Sequence, residues 1–219
     1  TGQMATATGT VSLPSADTLF GDLATLRTYD MVLISCEGGD DRYDPPDLTH
    51  RENLQQYTDE GGRLFGGHYH NGIISNAELP DDYPPYPAVI QFASGRQDIT
   101  PKLFTAQVNT SFDKGKALAD WLMAVGGSTS YGQISIDDSE RTVAGMLHES
   151  AVSWIDTTTP SGNAALYYGF PTPIDQPACG RMVYTDVHLA SGSGDSGKEV
   201  FPSCSAELTP QQKALAFLI

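Results

Sequence analysis

Two textures of apolar and polar positions divide this chain. Up to about residue 125, short apolar runs are separated by helical stripes; beyond it, apolar and polar residues alternate in brief stretches joined by turn residues. Met31-Val32-Leu33-Ile34 is an unbroken apolar run, the pattern of a parallel strand buried on both faces. Thr49, with Glu52 three residues on, forms a capping box for a helix through Glu60 that turns Leu54 and Tyr57 inward. Gly61-Gly62 stops that helix, and Arg63-Leu64-Phe65 opens the next strand. Strand, helix and strand in this spacing predict a βαβ unit with a right-handed crossover.

Elsewhere the pattern predicts a strand at Ala88–Phe92 and a helix at Phe112–Val125 with Ala117, Leu118, Trp121, Leu122 and Val125 on its inner stripe. Short alternating stretches at Tyr131–Ile136, Arg141–Leu147, Ala151–Ile155 and Ala164–Phe170 read as strands. They suggest an antiparallel, β-rich insertion over residues 127–170. Arg181–Thr185 reads as a later core strand, and Thr209-Pro210 as the cap and first turn of a terminal helix. Residues 1–20 read as an extended lead-in with a strand at Ala7–Leu13, and Leu19–Arg27 as a short helix. The expectation is one α/β domain over residues 1–219, with a parallel sheet, flanking helices and the β-rich insertion.

Charge narrows the partners. Asp and Glu total 27 against 12 Lys and Arg, for a net charge of −15. Nucleic acid and anionic lipid both call for a basic surface, so neither is an expected partner. No window approaches the roughly 18 apolar residues of a membrane-spanning helix. No secretory leader pattern follows Thr1-Gly2-Gln3-Met4, so the sequence is expected to begin after a processing point or inside a longer chain. Of the three cysteines, Cys36 ends an apolar strand, whereas Cys179 and Cys204 bracket a strand and the Ser/Gly-rich stretch Ser191–Gly197. A Cys179–Cys204 disulfide would close that loop, and it would place the protein outside the cytosol, extracellular or on a cell surface.

The chemistry-bearing residues gather at one place in the expected topology. In open α/β sheets, ligands bind beyond the carboxyl ends of the strands. There the pattern puts Gly67, His68, His70 and Asn71 after one strand, Glu37 after another, and Asp186 with His188 after a third. His68 and His70, two residues apart, point the same way on a continuing strand. Imidazoles beside carboxylates suit general acid/base work. They also bind divalent metals, although no tight ligand motif is present and no cofactor is expected. The same residues serve equally well as strand-end polar groups bonded to loops. The acidic loop Asp40–Asp47 has oxygen ligands for Ca²⁺ without EF-hand spacing, and a solvated loop explains it as well. Asn109-Thr110-Ser111 matches a glycosylation acceptor, and the Ser153-Trp154 and Tyr167-Tyr168 pairs would stack on sugar if exposed.

Tyr29-Asp30-Met31-Val32-Leu33-Ile34, then Asn53, Tyr57 and Gly61-Gly62-Arg63-Leu64-Phe65-Gly66-Gly67-His68, and later Gly180-Arg181-Met182-Val183-Tyr184-Thr185-Asp186-Val187-His188, form a pattern that resembles the ThuA-like (trehalose-utilisation-like) branch of the class I glutamine amidotransferase-like superfamily. The resemblance implies a flavodoxin-like, amidotransferase-like sheet. It also implies a polar, sugar-like ligand near His68 and His188. The chain departs from the amidotransferases where they carry a nucleophilic cysteine: that position is His68, whose imidazole cannot form their thioester intermediate. The first strand of that pattern, ahead of Tyr29-Asp30, has no clear counterpart in residues 1–28. Two functions stay open. One is an exported, non-catalytic surface or assembly module, with self-assembly as its partner chemistry. The other is a small-molecule enzyme or binding protein for a polar or carbohydrate ligand, acting through His68 and His188 with Asp186 or Glu37 as catalytic groups and His70, Asn71 and Gly67 as ligand contacts.

Overall fold

The structure, a computed structural model, describes residues 3–6, 9–12, 15–34, 48–67, 70, 90–92, 99–137, 139, 143–146, 148–159, 162–174, 176–188 and 207–218. Its frame is a mixed seven-stranded sheet with helices on both faces. Strand β3 (Met31–Ile34) lies at one edge, beside β4 (Arg63–Gly67) and then β11 (Gly180–Thr185). These three run parallel, in the register Met31–Arg63–Arg181. Helix α3 (Leu48–Asp59) connects β3 to β4, so the expected βαβ unit is present. Tyr57 secures it: its hydroxyl donates to the Tyr29 carbonyl at 3.0 Å. Its ring also packs where a Gly62 side chain would stand, 2.3 Å from the ideal Cβ. Gly61, at φ +116°, makes the reversal that a side chain would resist.

The rest of the sheet is antiparallel: β10 (Gly162–Thr172), β9 (Val152–Thr159), β6 (Leu103–Val108) and β7 (Gln133–Asp137) continue outward from β11. The parallel core expected from the pattern is therefore three of the seven strands. The reason is connection length. Thr159 pairs with Gly162 across a two-residue turn, and β10 reaches β11 across seven residues. Parallel neighbours need a crossover of about a dozen residues or more. Segment 127–170 thus supplies three strands of this one sheet. Its remaining strand, β8 (Val143–Met146), pairs with β5 (Ile90–Phe92) in a separate two-stranded sheet.

Residues 3–12 form a hairpin, β1 (Gln3–Thr6) with β2 (Gly9–Ser12), where one strand was expected. The helical stretch after it divides into α1 (Ala16–Phe20) and α2 (Leu23–Leu26), capped by Ser15 and Asp22. With α3 they cover one sheet face, burying Phe20, Leu26, Leu54 and Tyr57 against Val32, Leu64, Met182 and Tyr184. Helices α4 (Asp113–Ala124) and α5 (Pro210–Leu218) cover the other face, over Phe65, Ala106, Ile134 and Ile155. Thr49 lies inside α3 and does not cap it, since the helix begins at Leu48. At α5 the threonine does cap: Thr209 Oγ1 accepts from Gln212 N, and Gln212 Oε1 accepts from Thr209 N, a reciprocal box.

The inner stripe of α4 is Gly115, Leu118, Ala119 and Leu122, rotated from the one expected. An ideal Cβ on Gly115 would stand 1.9 Å from the Asn109 carbonyl oxygen, so this glycine sets the close approach and turns Trp121 outward. The Trp121 indole then donates to the Lys213 carbonyl at 3.1 Å and joins α4 to α5. Among the described residues, no helix is long and apolar enough to cross a membrane.

Candidate functional site

The carboxyl ends of β4 and β11 lie side by side, with Gly67 opposite Thr185. Just beyond them come His70 and Asp186. Both are buried at 0% exposure. His70 folds back over its own strand: its Nδ1 is 2.6 Å from the Gly67 carbonyl. A carbonyl oxygen only accepts, so the ring proton sits on Nδ1. Gly66 makes room for this return, its ideal Cβ position lying 3.6 Å from both His70 Cβ and Tyr184 Cδ2.

Asp186 is held by its backbone. Its N–H donates to Leu166 O at 2.8 Å, and its carbonyl accepts from the buried Ser139 hydroxyl at 2.9 Å. Val187 N donates to Thr185 Oγ1 at 3.0 Å, closing the turn. Register brings two tyrosines to the same spot. Tyr168 pairs with Tyr184 across β10 and β11, with ring centroids 5.2 Å apart. Burial raises the Tyr168 phenol well above its usual range, and the neighbouring Tyr184 and the charge of Asp186 push it further. Burial likewise raises the Tyr167 phenol, against a smaller opposing effect of Thr185. Among the described residues, the Tyr168 hydroxyl has no hydrogen-bond partner.

His188 is half-buried and tied to other elements. Its carbonyl accepts from Gln211 Nε2 at 2.6 Å. The same amide donates to Asp137 O at 2.9 Å and accepts from Asp137 N at 3.0 Å, so one α5 side chain joins β7 to the segment after β11. The structure therefore brings together His70, Gly67 and Asp186, with Tyr168 and Tyr184, in a sealed cluster. Glu37, His68 and Asn71 lie outside the described residues, as do Cys36 and the acidic loop Asp40–Asp47. Among the described residues, no three His, Cys, Asp or Glu side chains converge as a metal site.

Sequence reasoning passed over Tyr184, Ser139 and Gln211. Tyr184 was visible only as a strand residue; its partnership with Tyr168 follows from strand register. The aromatic pairs expected to stack on sugar if exposed are core residues: Trp154, Tyr167 and Tyr168 are buried, and Trp154 packs edge-on against Phe112 at 5.0 Å. The Asn109 amide is engaged in a turn, donating to Ser153 O and accepting from Ser111. The expected Cys179–Cys204 disulfide is not formed. Cys179 is an exposed free thiol, and Cys204 lies outside the described residues. The physical reason lies in Cys179's position: its Sγ is turned toward the end of α3, 3.9 Å from the Asp59 carbonyl.

The chain matches no protein-family model and no curated protein. Its fold does have solved counterparts. One is a protein described as ThuA-like from Bacteroides uniformis, which superposes with a TM-score of 0.54 over 90% of this chain and 71% of that one, at 10% identity. A cytoplasmic protein from Salmonella typhimurium superposes more loosely, with a TM-score of 0.45 over 84% and 68%, at 15% identity. The ThuA-like fold expected from the strand and glycine pattern is therefore the fold observed.

Proposed function

We propose that this ThuA-like domain is a non-catalytic surface or assembly module of an exported protein. The observation that carries the reading is burial: His70 and Asp186, the imidazole and carboxylate at the carboxyl edge, have no solvent exposure. A group that serves a substrate must come within hydrogen-bond reach of it. Here both groups are turned into the fold, and the His70 ring bonds the Gly67 carbonyl of its own strand. His68 at the position that the resemblance gives to the nucleophile supports the same reading, since an imidazole cannot form the thioester intermediate of the amidotransferases. The sheet edge supports the assembly part. Strand β3 is a short edge strand with Leu33 half-exposed, the kind of edge that accepts an added strand from another chain. Export was expected from a Cys179–Cys204 disulfide, and that support is withdrawn.

The test is a titration of the protein with mono- and disaccharides, read by the histidine ring resonances. Wild type and Asp186→Asn are expected to show no saccharide-dependent shift. A shift in wild type that Asp186→Asn abolishes would sink the module reading and restore a sugar-binding site built on His68 and His188. Sedimentation over a range of concentrations tests assembly: Leu33→Lys is expected to weaken self-association, and a monomer at every concentration would remove that part.

A further inference from the structure

The opposite ends of the same three parallel strands hold a different kind of place. At the amino ends of β3, β4 and β11 there is a cavity of about 410 Å³, within the size range of small-molecule sites. Three cations converge on it: Arg63 from β4, Arg181 from β11 and Lys114 from the first turn of α4. Arg63 and Arg181 are direct register partners on adjacent parallel strands. Their backbones are thus about 4.8 Å apart, and both side chains leave the same sheet face. The apolar wall is Phe65, Val183 and Leu218.

These cations have no counter-charge among the described residues. Among the described residues, no carboxylate lines the cavity and none pairs with Arg63, Arg181 or Lys114. The nearest acid in sequence, Asp113, is taken by Lys116 at 3.1 Å. In a chain with 27 acidic and 12 basic residues, three unpaired cations around one hollow is the reverse of the general balance. Arg181 is also half-buried, with its Nε 3.9 Å from the ideal Cβ position of Gly169, so it lies over the neighbouring strand β10. Burial first, and then the charge of Arg63, lower the pKa of Arg181. A bound anion would relieve both penalties.

We propose that this cavity binds a small phosphate monoester, with the phosphate between Arg63, Arg181 and Lys114 and a compact apolar body against Phe65, Val183 and Leu218. Two guanidinium forks and an ammonium offer donors in several directions, which suits a tetrahedral dianion better than a planar carboxylate. The apolar wall favours an ester over free phosphate. The site is independent of the reading of the carboxyl edge, and its failure would leave that reading untouched.

Calorimetric and amide-NMR titrations with phenyl phosphate, inorganic phosphate, benzoate and benzyl alcohol test it. Phenyl phosphate is expected to bind at least about tenfold more tightly than inorganic phosphate, through the burial of its ring. It is also expected to bind more tightly than benzoate. Arg181→Met should weaken phenyl phosphate by about tenfold or more, through loss of charge-assisted hydrogen bonds. Arg63→Gln, at an exposed position that leaves the fold intact, should weaken it several-fold. The proposal is overturned by no binding of phenyl phosphate up to about 10 mM. It is equally overturned by binding that both arginine variants leave unchanged, or by benzyl alcohol binding as tightly as phenyl phosphate.

Discussion

The two ends of β4 and β11 make opposite use of polar residues. At the carboxyl ends, His70, Asp186 and Tyr168 are sealed in the protein, with the His70 Nδ1 and the Asp186 backbone bonded to neighbouring elements. At the amino ends, Arg63, Arg181 and Lys114 stand around an open cavity with no carboxylate partner among the described residues. The general rule for α/β sheets directs attention to the carboxyl edge. Among the described residues, the accessible charge gathers at the other one. A place in the topology shows where a site is easy to build; burial and counter-charge decide whether one is there.

The comparison breaks most readily at the amino end. An ideal Cβ on Gly180 would stand 1.7 Å from the Thr58 carbonyl oxygen and 2.7 Å from Thr172 Oγ1. Gly180→Ala should therefore cost at least about 3 kcal/mol in urea unfolding, because backbone on both sides must shift. A near-neutral result would show that α3 and β11 are not in tight contact there. Next in size is Gln211→Ala, which strips the bonds to Asp137 and His188 from a buried amide. A loss of about 1–3 kcal/mol is expected, since three part-buried hydrogen bonds are lost together. Gln211→Glu should do no better, because a carboxylate presents acceptors to two carbonyls.

The tyrosines sharpen the carboxyl end. A phenol whose folded pKa is raised stays neutral while its unfolded counterpart ionises near pH ~10. Stability is fully present below that pH and falls as pH rises above it. Unfolding free energies measured from pH 8 to 11 should show this decline, and Tyr168→Phe should flatten it. At pH 7 the same variant should stay within about 1 kcal/mol of wild type, because the deleted hydroxyl makes no hydrogen bond among the described residues. A larger loss would reveal a partner and reopen the site. The smallest effect is expected at Cys179. Cys179→Ser should change stability by less than about 0.5 kcal/mol, and the wild-type thiol should alkylate without denaturant. Protection from alkylation that reductant reverses would restore a disulfide.

Local pattern made much of the frame legible. Met31–Ile34 with its following helix and the Gly61-Gly62 stop was readable because period and turn chemistry are properties of short segments. Strand β6 was missed altogether, although Phe104, Ala106 and Val108 alternate with Thr105 and Gln107 in the two-residue period of a half-buried strand. The stripe of α4 came out rotated because Gly115, a residue with no side chain to score, sets the contact.

Residue order alone settles the βαβ start, the terminal helix with its threonine cap and the acidic balance. Those depend on neighbours in the chain or on plain composition. Strand partnership depends on which segments meet, and only the tertiary structure decides that. It joined Tyr168 to Tyr184, Arg63 to Arg181 and Gln211 to His188 across long stretches of chain. It thereby buried His70 and Asp186 at one end of the sheet and set Arg63 and Arg181 around a cavity at the other.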